Sequence, residues 1–248
     1  MLIREDPDWE AYLRRRVVHL YNPDQPRVES GPDAGQWGSG GGGSGINADK
    51  VGRFQSQWNH STATDEAVTL RSIAAQAYGG DVVSYSIAVD DPNNLGGKFG
   101  LRTLPKDEIS SRTEDWGKAV GAKDAVAAFK EHVEEQRQTM WSAMGREGKY
   151  DPDATVTLYR GMRRLPEEIE EGSNIGIRAG AASSWTTDER ITENFSQSVS
   201  GGKFVGVVVK AEVPFRNILG SHHGGWGHEP SREVVVNDRG LKGSVRRL

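Results

Sequence analysis

The chain has 248 residues, 27% of them charged, with a net charge of −4, 31 glycines and no cysteine. That length fits one or two domains with a working core. The missing cysteines exclude a disulfide scaffold, a thiolate zinc site, an iron–sulfur cluster and a Cys nucleophile. The acidic balance argues against coating nucleic acid by charge alone, and no apolar run reaches the roughly 18 residues of a membrane span.

The first residues, MLIREDPDWEAYLRRR, carry charges with no apolar run behind them, so no Sec-type signal peptide is expected. Residues 1–30 read as a charged tail in which Trp9, Tyr12, Leu13, Val17 and Leu20 share one side of a short helix. Residues 31–45, GPDAGQWGSGGGGSG, hold eleven Gly, Ser or Pro in fifteen positions. Glycine loses the most backbone entropy on ordering, and nothing here buries area to offset it, so this stretch reads as a flexible linker. A globular domain is expected over 46–248.

Within it, a helix is expected over 64–78. Thr64 is placed to cap it, Asp65 and Glu66 suit its positive start, and Gly79-Gly80 stops it. VVSYSIAV at 82–89 has the composition of a strand, although so short an apolar run also suits a helix. Residues 90–108, with Pro92, Gly96, Gly97 and Pro105, read as loop. A long helix is expected over 123–146, where Val126, Phe129, Val133, Met140 and Met144 form one apolar, core-facing stripe and HVEEQRQ reads as a solvated face. Beyond residue 150 come short β-rich runs (TVTLYRGM, GIRAGAASSWTT, KFVGVVVKAEV, REVVV) and one helical piece at 188–197. Helices first and strands later is an α+β order. There is no GxGxxG after a strand and no GxxxxGK[ST], so the common phosphate-cradling loops are absent.

Three pieces of the β-rich half carry reactive groups. In Leu158-Tyr159-Arg160-Gly161-Met162 an Arg ends an apolar strand, where its planar fork can meet a phosphate or a carboxylate. Gly161 lets a ligand approach the backbone; an ordinary surface Arg before a turn has the same sequence. In Ser183-Ser184-Trp185-Thr186-Thr187-Asp188 the alternation puts Ser184 and Thr186 on one strand face. Asp188 is placed to cap a helix whose Ile191 and Phe195 look inward, and a helix-capping turn reads the same way. In His228-Glu229-Pro230-Ser231-Arg232-Glu233-Val234-Val235-Val236, Glu233 opens an apolar strand with Ser231 two residues earlier on its face, beside the Gly-rich loop GSHHGGWGHEP. The plain alternative is a strand-edge salt bridge.

Arg, then Ser/Thr, then Glu on successive β segments resembles the ADP-ribosyltransferase family, and within it the Arg–Ser-Thr-Ser–Glu group of clostridial-type toxins and arginine-modifying ectoenzymes. YRG at 159–161, SWT at 184–186 with Phe195 behind it, and SRE at 231–233 before VVV carry the likeness, which covers about residues 125–240. The resemblance implies N-terminal helices packed on two small β-sheets that form an NAD cleft. It implies that Glu233, Arg160 and Ser184 are catalytic, and that Arg160, Gly161, Ser184, Thr186 and Phe195 bind NAD. Arg160 would anchor the diphosphate and Gly161 the nicotinamide carboxamide. Ser184 would orient Glu233, and Glu233 would hold the ribose 2′-hydroxyl and face the charge that develops as the glycosidic bond breaks. Trp185 replaces the family's central Thr, and Thr186 keeps the last hydroxyl. Ser231 stands where the family has the Glu or Gln that selects and activates the acceptor, and Glu229 is the nearest replacement carboxylate. Trp226, at the tip of the 216–230 loop, is the expected acceptor-recognition aromatic, against the plain reading of a Gly-rich turn.

The implied acceptor is macromolecular, a protein in the first instance and a nucleic acid as the alternative, with no membrane partner. The linker is like those of phage head-associated proteins, so the expected location is the cytoplasm of the producing or a target cell, or a virion. His222, His223 and His228 lack the carboxylate–His spacing of a metal site, and no metal is expected. The competing reading is a non-enzymatic phage-virion or toxin-associated binding module on the same scaffold, which Trp185, Ser231 and the tether favour.

Overall fold

The computed structural model describes residues 46–58, 64–80, 82–88, 99–164, 167, 169–170, 172, 174–176, 182–196, 205–226 and 231–248, all within a compact unit spanning Ser44–Leu248. The expected tail (1–30) and linker (31–45) lie outside the described residues.

Local chemistry sets the helical half. Helix α1 (Ala48–Gln57) starts at Asn47, whose Oδ1 accepts from Lys50 N at 3.1 Å. Helix α2 (Asp65–Tyr78) is the helix expected from its caps. Thr64 Oγ1 accepts from Ala67 N at 3.2 Å, and Gly79 closes it at φ 86°, a left-handed conformation that needs no Cβ. Strands β1 (Val83–Ala88) and β2 (Phe99–Leu104) form an antiparallel ribbon, with Val83 opposite Leu104. Helix α3 (Lys106–Val120) follows, then α4 (Ala125–Ala143), capped by Asp124 Oδ1 on Ala127 N at 3.0 Å.

Two parts of this half differ from the expectation. The stretch read as loop at 90–108 contains β2 and the start of α3. The signal for α3 was present: Ile109, Thr113, Trp116 and Val120, all buried, recur at helical spacing, but Ser, Thr, Asp and Gly between them dilute the apolar stripe. In α4, Met144 caps the helix and is 39% exposed instead of buried. Conversely, the run read as a solvated face buries His132, Gln136 and Arg137. Arg137 is drawn in because its Nε donates at 2.8 Å to Ile218 O, on the strand at the edge of the sheet.

The β half is one mixed-length antiparallel sheet. Its strands are β3 (Thr155–Arg164), β4 (Asn174–Gly176), β5 (Ser183–Thr186), β6 (Val205–Pro214), β7 (Ile218–Ser221), β8 (Glu233–Val236) and β9 (Lys242–Arg247), with helix α5 (Glu189–Ser196) after β5. Among the described residues the order is β4-β9-β6-β3-β5-β8-β7. The resemblance implied two small sheets; here two halves of one sheet meet through a single residue pair, Tyr159 opposite Thr186. Where further β3–β5 rungs would form, Arg160, Asp238 and Ser183 come together instead.

The architecture is α+β, with two large cores and a smaller cluster of Val68, Ala75, Val83, Tyr85, Leu104 and Ile109 beside the β1–β2 ribbon. One large core lies between the helices and the inner face of β5-β8-β7, where Trp58, Leu70, Ile73, Trp116, Phe129 and Trp226 pack with Leu219 and Val235. The other gathers Leu158, Trp185, Val207, Val209, Val213, Phe215, Val234 and Val236. No described helix is long and apolar enough to cross a membrane.

Candidate active site

The strand order makes neighbours of the three sequence motifs. β3 carries Arg160, β5 carries Ser184, and β8 opens with Glu233; these strands are adjacent. Tyr159 faces Thr186, and Thr186 faces Glu233, so one cross-strand row runs through the three strands; Arg160, one residue from Tyr159, falls on the other side of β3. Directly opposed residues have Cβ atoms about 4.5–5.5 Å apart. Ser184, two residues from Thr186, stays on that side of β5.

Ser184 and Glu233 converge on one donor. The indole Nε1–H of Trp58 points to Ser184 Oγ at 3.1 Å and to Glu233 Oε1 at 3.2 Å. The Trp58 ring is buried, tilts against Trp226 at 5.9 Å, and carries the Arg71 guanidinium over its face at 4.8 Å. Glu233 is 9% exposed, so its carboxylate is held at the edge of the core rather than in open water.

Arg160 joins this group through charge. Its Nη1 donates to Asp238 Oδ2 at 2.8 Å, the same oxygen accepts from Ser183 Oγ, and the guanidinium lies 5.9 Å from the Trp185 ring centre. Asp238 is fully buried, and its other oxygen, Oδ1, has no hydrogen-bond partner among the described residues. Burial pushes the Asp238 carboxyl above the usual range, while Arg160 and Ser183 pull it back. Arg71 donates to Ser84 O at 2.8 Å and leaves its buried Nε without a partner. Its pKa is lowered to about 10, first by burial and then by the like charge of Arg160, with Asp238 and Glu233 opposing. Arg71 thus sits over the Trp58 ring, while Arg160 is paired with Asp238.

The other expected residues fall out as follows. Gly161 sits on β3 opposite Val208. Thr186, expected to touch NAD, is committed to the chain: its hydroxyl donates to Ser231 O at 2.7 Å and accepts from Asp188 N at 3.1 Å. It fastens the segment leading into Glu233. Ser231 is not on the strand with Glu233; it lies in a turn, because Arg232 adopts φ 45°, the one non-Gly left-handed residue among those described. Trp226, expected at a loop tip, is 1% exposed and packs on Phe129 at 6.5 Å. Gly220 makes room for it, since a Cβ there would collide with the indole. Asp188 caps α5 as expected, with Oδ1 accepting from Arg190 N at 3.1 Å. The Phe195 side chain, His228 and Glu229 lie outside what the structure describes.

Three members of the site escaped the sequence reading: Trp58, Arg71 and Asp238. Arg71 sits within helix α2, and only its partners mark it. Asp238, two residues beyond the apolar run Val234-Val235-Val236 and followed by Arg239-Gly240, has the look of a turn residue. His222 and His223 lie with ring centres 3.8 Å apart and planes tilted by 39°, and no group of three metal-ligating side chains occurs among the described residues. Comparison with known proteins finds no matching family model, no matching curated protein and no matching solved structure.

Proposed function

We propose that the protein is a mono-ADP-ribosyltransferase that cleaves the nicotinamide–ribose bond of NAD and transfers ADP-ribose to a macromolecular acceptor, with hydrolysis of NAD as a side reaction. The observation that carries this reading is the pairing of Glu233 with Ser184 under one donor, on strands adjoining that of Arg160. The α+β order of helices before strands agrees with the ADP-ribosyltransferase fold that the motifs resemble.

The donor set suits a dinucleotide. Burial first, and the like charge of Arg160 second, lower the Arg71 pKa, while Asp238 pairs with Arg160. A diphosphate placed between the two guanidiniums offsets their like charge and gives them charge-assisted partners. NAD, when bound, supplies the leaving group: the glycosidic electron pair departs with nicotinamide and positive charge develops on the ribose carbon. Glu233 then acts electrostatically. Its carboxylate is fixed before the charge appears, so its stabilisation is largest in the transition state. Ser184 accepts from Trp58 and retains a hydroxyl hydrogen to donate within the site. The acceptor nucleophile forms the new bond to the same carbon and gives up its proton. Protein side chains are the first acceptor class and nucleic acid bases the second.

Nicotinamide release from NAD by the purified protein tests the reading, with Glu233→Gln and Arg160→Ala as controls. Release that both variants abolish supports it. Release that Glu233→Gln leaves unchanged rejects Glu233 as the catalytic residue. Mass spectrometry of a lysate incubated with labelled NAD identifies the acceptor. A binding module without catalysis is the second reading, favoured by the Arg160–Asp238 ion pair, which satisfies the guanidinium from within the chain. Calorimetry that finds no NAD binding at millimolar concentration decides for it.

A further inference from the structure

We propose that Trp58 positions the Glu233 carboxylate; the catalytic meaning of that role rests on the reading above. An indole has one N–H and no acceptor. Here that hydrogen is shared between Ser184 Oγ at 3.1 Å and Glu233 Oε1 at 3.2 Å, both at the long end of the hydrogen-bond range. A tryptophan buried only to fill space needs one partner for its N–H. Two acceptors on two strands instead make the indole a gauge that sets Glu233 relative to Ser184.

The gauge is held from outside the sheet. Trp58 closes helix α1, and its backbone N–H donates to Gln55 O at 3.2 Å. The start of α1 is tied to the end of α3 by Asn47 N donating to Val120 O at 2.8 Å. The ring packs against Trp226 at 5.9 Å and carries the Arg71 guanidinium over its face at 4.8 Å. That cation sits over the π-face and draws it by its quadrupole. Tilting the indole would break contacts to Arg71, Trp226, Ser184 and Glu233 together. The helical half thereby dictates the orientation of a carboxylate that belongs to the β half.

Trp58→Phe keeps an aromatic ring beside Trp226 and removes the N–H together with the five-membered part of the indole. The expected result in nicotinamide release, read per folded molecule because the cavity left in the core lowers the thermal midpoint, is kcat lower by about 10- to 100-fold, the effect of losing one hydrogen bond to a charged group, with KM for NAD within about twofold. A kcat equal to that of the wild type overturns the proposal, as does a parallel change in KM that marks a general loss of the site. The second measurement needs no catalysis and no Trp58 variant that folds. In the 15N-labelled chain the Trp58 indole N–H resonance, one of seven, is expected to move in Glu233→Gln while indoles remote from the site hold still; an unmoved resonance overturns the proposal. If the wild type releases no nicotinamide, the enzymatic reading fails, and the indole shift still decides whether Trp58 holds Glu233.

Discussion

The two halves of the seven-stranded sheet are built differently. On one side, β3 and β6 pair over ten residues, Thr155 opposite Pro214 through Arg164 opposite Val205, and β9 extends the ladder. The inward residues there are Val156, Leu158, Val207, Val209, Ala211, Val213 and Val245, all buried and all apolar. On the other side β5, β7 and β8 have four residues each, and the β7–β8 register slips between Ile218 and Gly220. That side, with the residues just after it, buries Ser183, Thr186, Ser221, Glu233 and Asp238. One half is a stiff apolar platform. The other accepts short, irregular pairing and buried polar groups, which cost stability unless they are bonded. Chemistry is concentrated where regularity is given up, next to a half regular enough to bear it.

Breaking the platform tests the first part of that contrast. Leu158 is fully buried, and Leu158→Ala is expected to lower unfolding stability by about 2–5 kcal/mol. Urea titration reads the loss, and activity per folded molecule should be retained. The opposite outcome is expected in the short half. Glu233→Gln should leave the urea midpoint nearly in place while raising the barrier to nicotinamide release by roughly 3–4 kcal/mol, or about 100- to 1000-fold. Gly220→Ala lies between the two. The added Cβ meets the Trp226 indole, and overpacking of this kind costs about 1–3 kcal/mol. Because Trp226 packs on Trp58, activity should fall along with stability.

The smallest effect is a slope. The Asp238 carboxyl is raised above its ordinary value by burial, so the folded state binds its proton more readily than the unfolded state does. Its contribution to stability is therefore full below the ordinary Asp pKa and is lost as pH climbs through the raised one. Urea midpoints measured upward from pH 4 should show this loss, at no more than about 1.4 kcal/mol per pH unit for one proton. Asp238→Asn should flatten the slope, and an equal slope in that variant would show that other groups dominate.

Much of this molecule was legible before any coordinates. Helix α2 was readable because its signals are local: Thr64, Asp65, Glu66 and Gly79 act within a turn of the helix ends. Arg160, Ser184 and Glu233 stood out because strand alternation and motif order survive in one dimension. Helix α1 and helix α3 were missed because weak helix formers interrupt their apolar residues, and tertiary burial of Val51, Ile109 and Trp116 supplies what propensity lacks. Trp226 was misplaced because a Gly-rich context suggests a loop, whereas the same glycines, Gly220 above all, clear the space that an indole fills.

Composition, caps and alternation thus indicated the α+β class and the ends of α2, while the family resemblance singled out the three residues of the candidate site. They could do so because each acts over a few bonds. The partners of those residues were beyond their reach. Trp58 meets Glu233 across 175 positions of chain, and Arg160 meets Asp238 across 78. Contacts at such separations exist only after the sheet has chosen its strand order and the helices have docked on it. No local rule encodes which tryptophan or which aspartate will arrive.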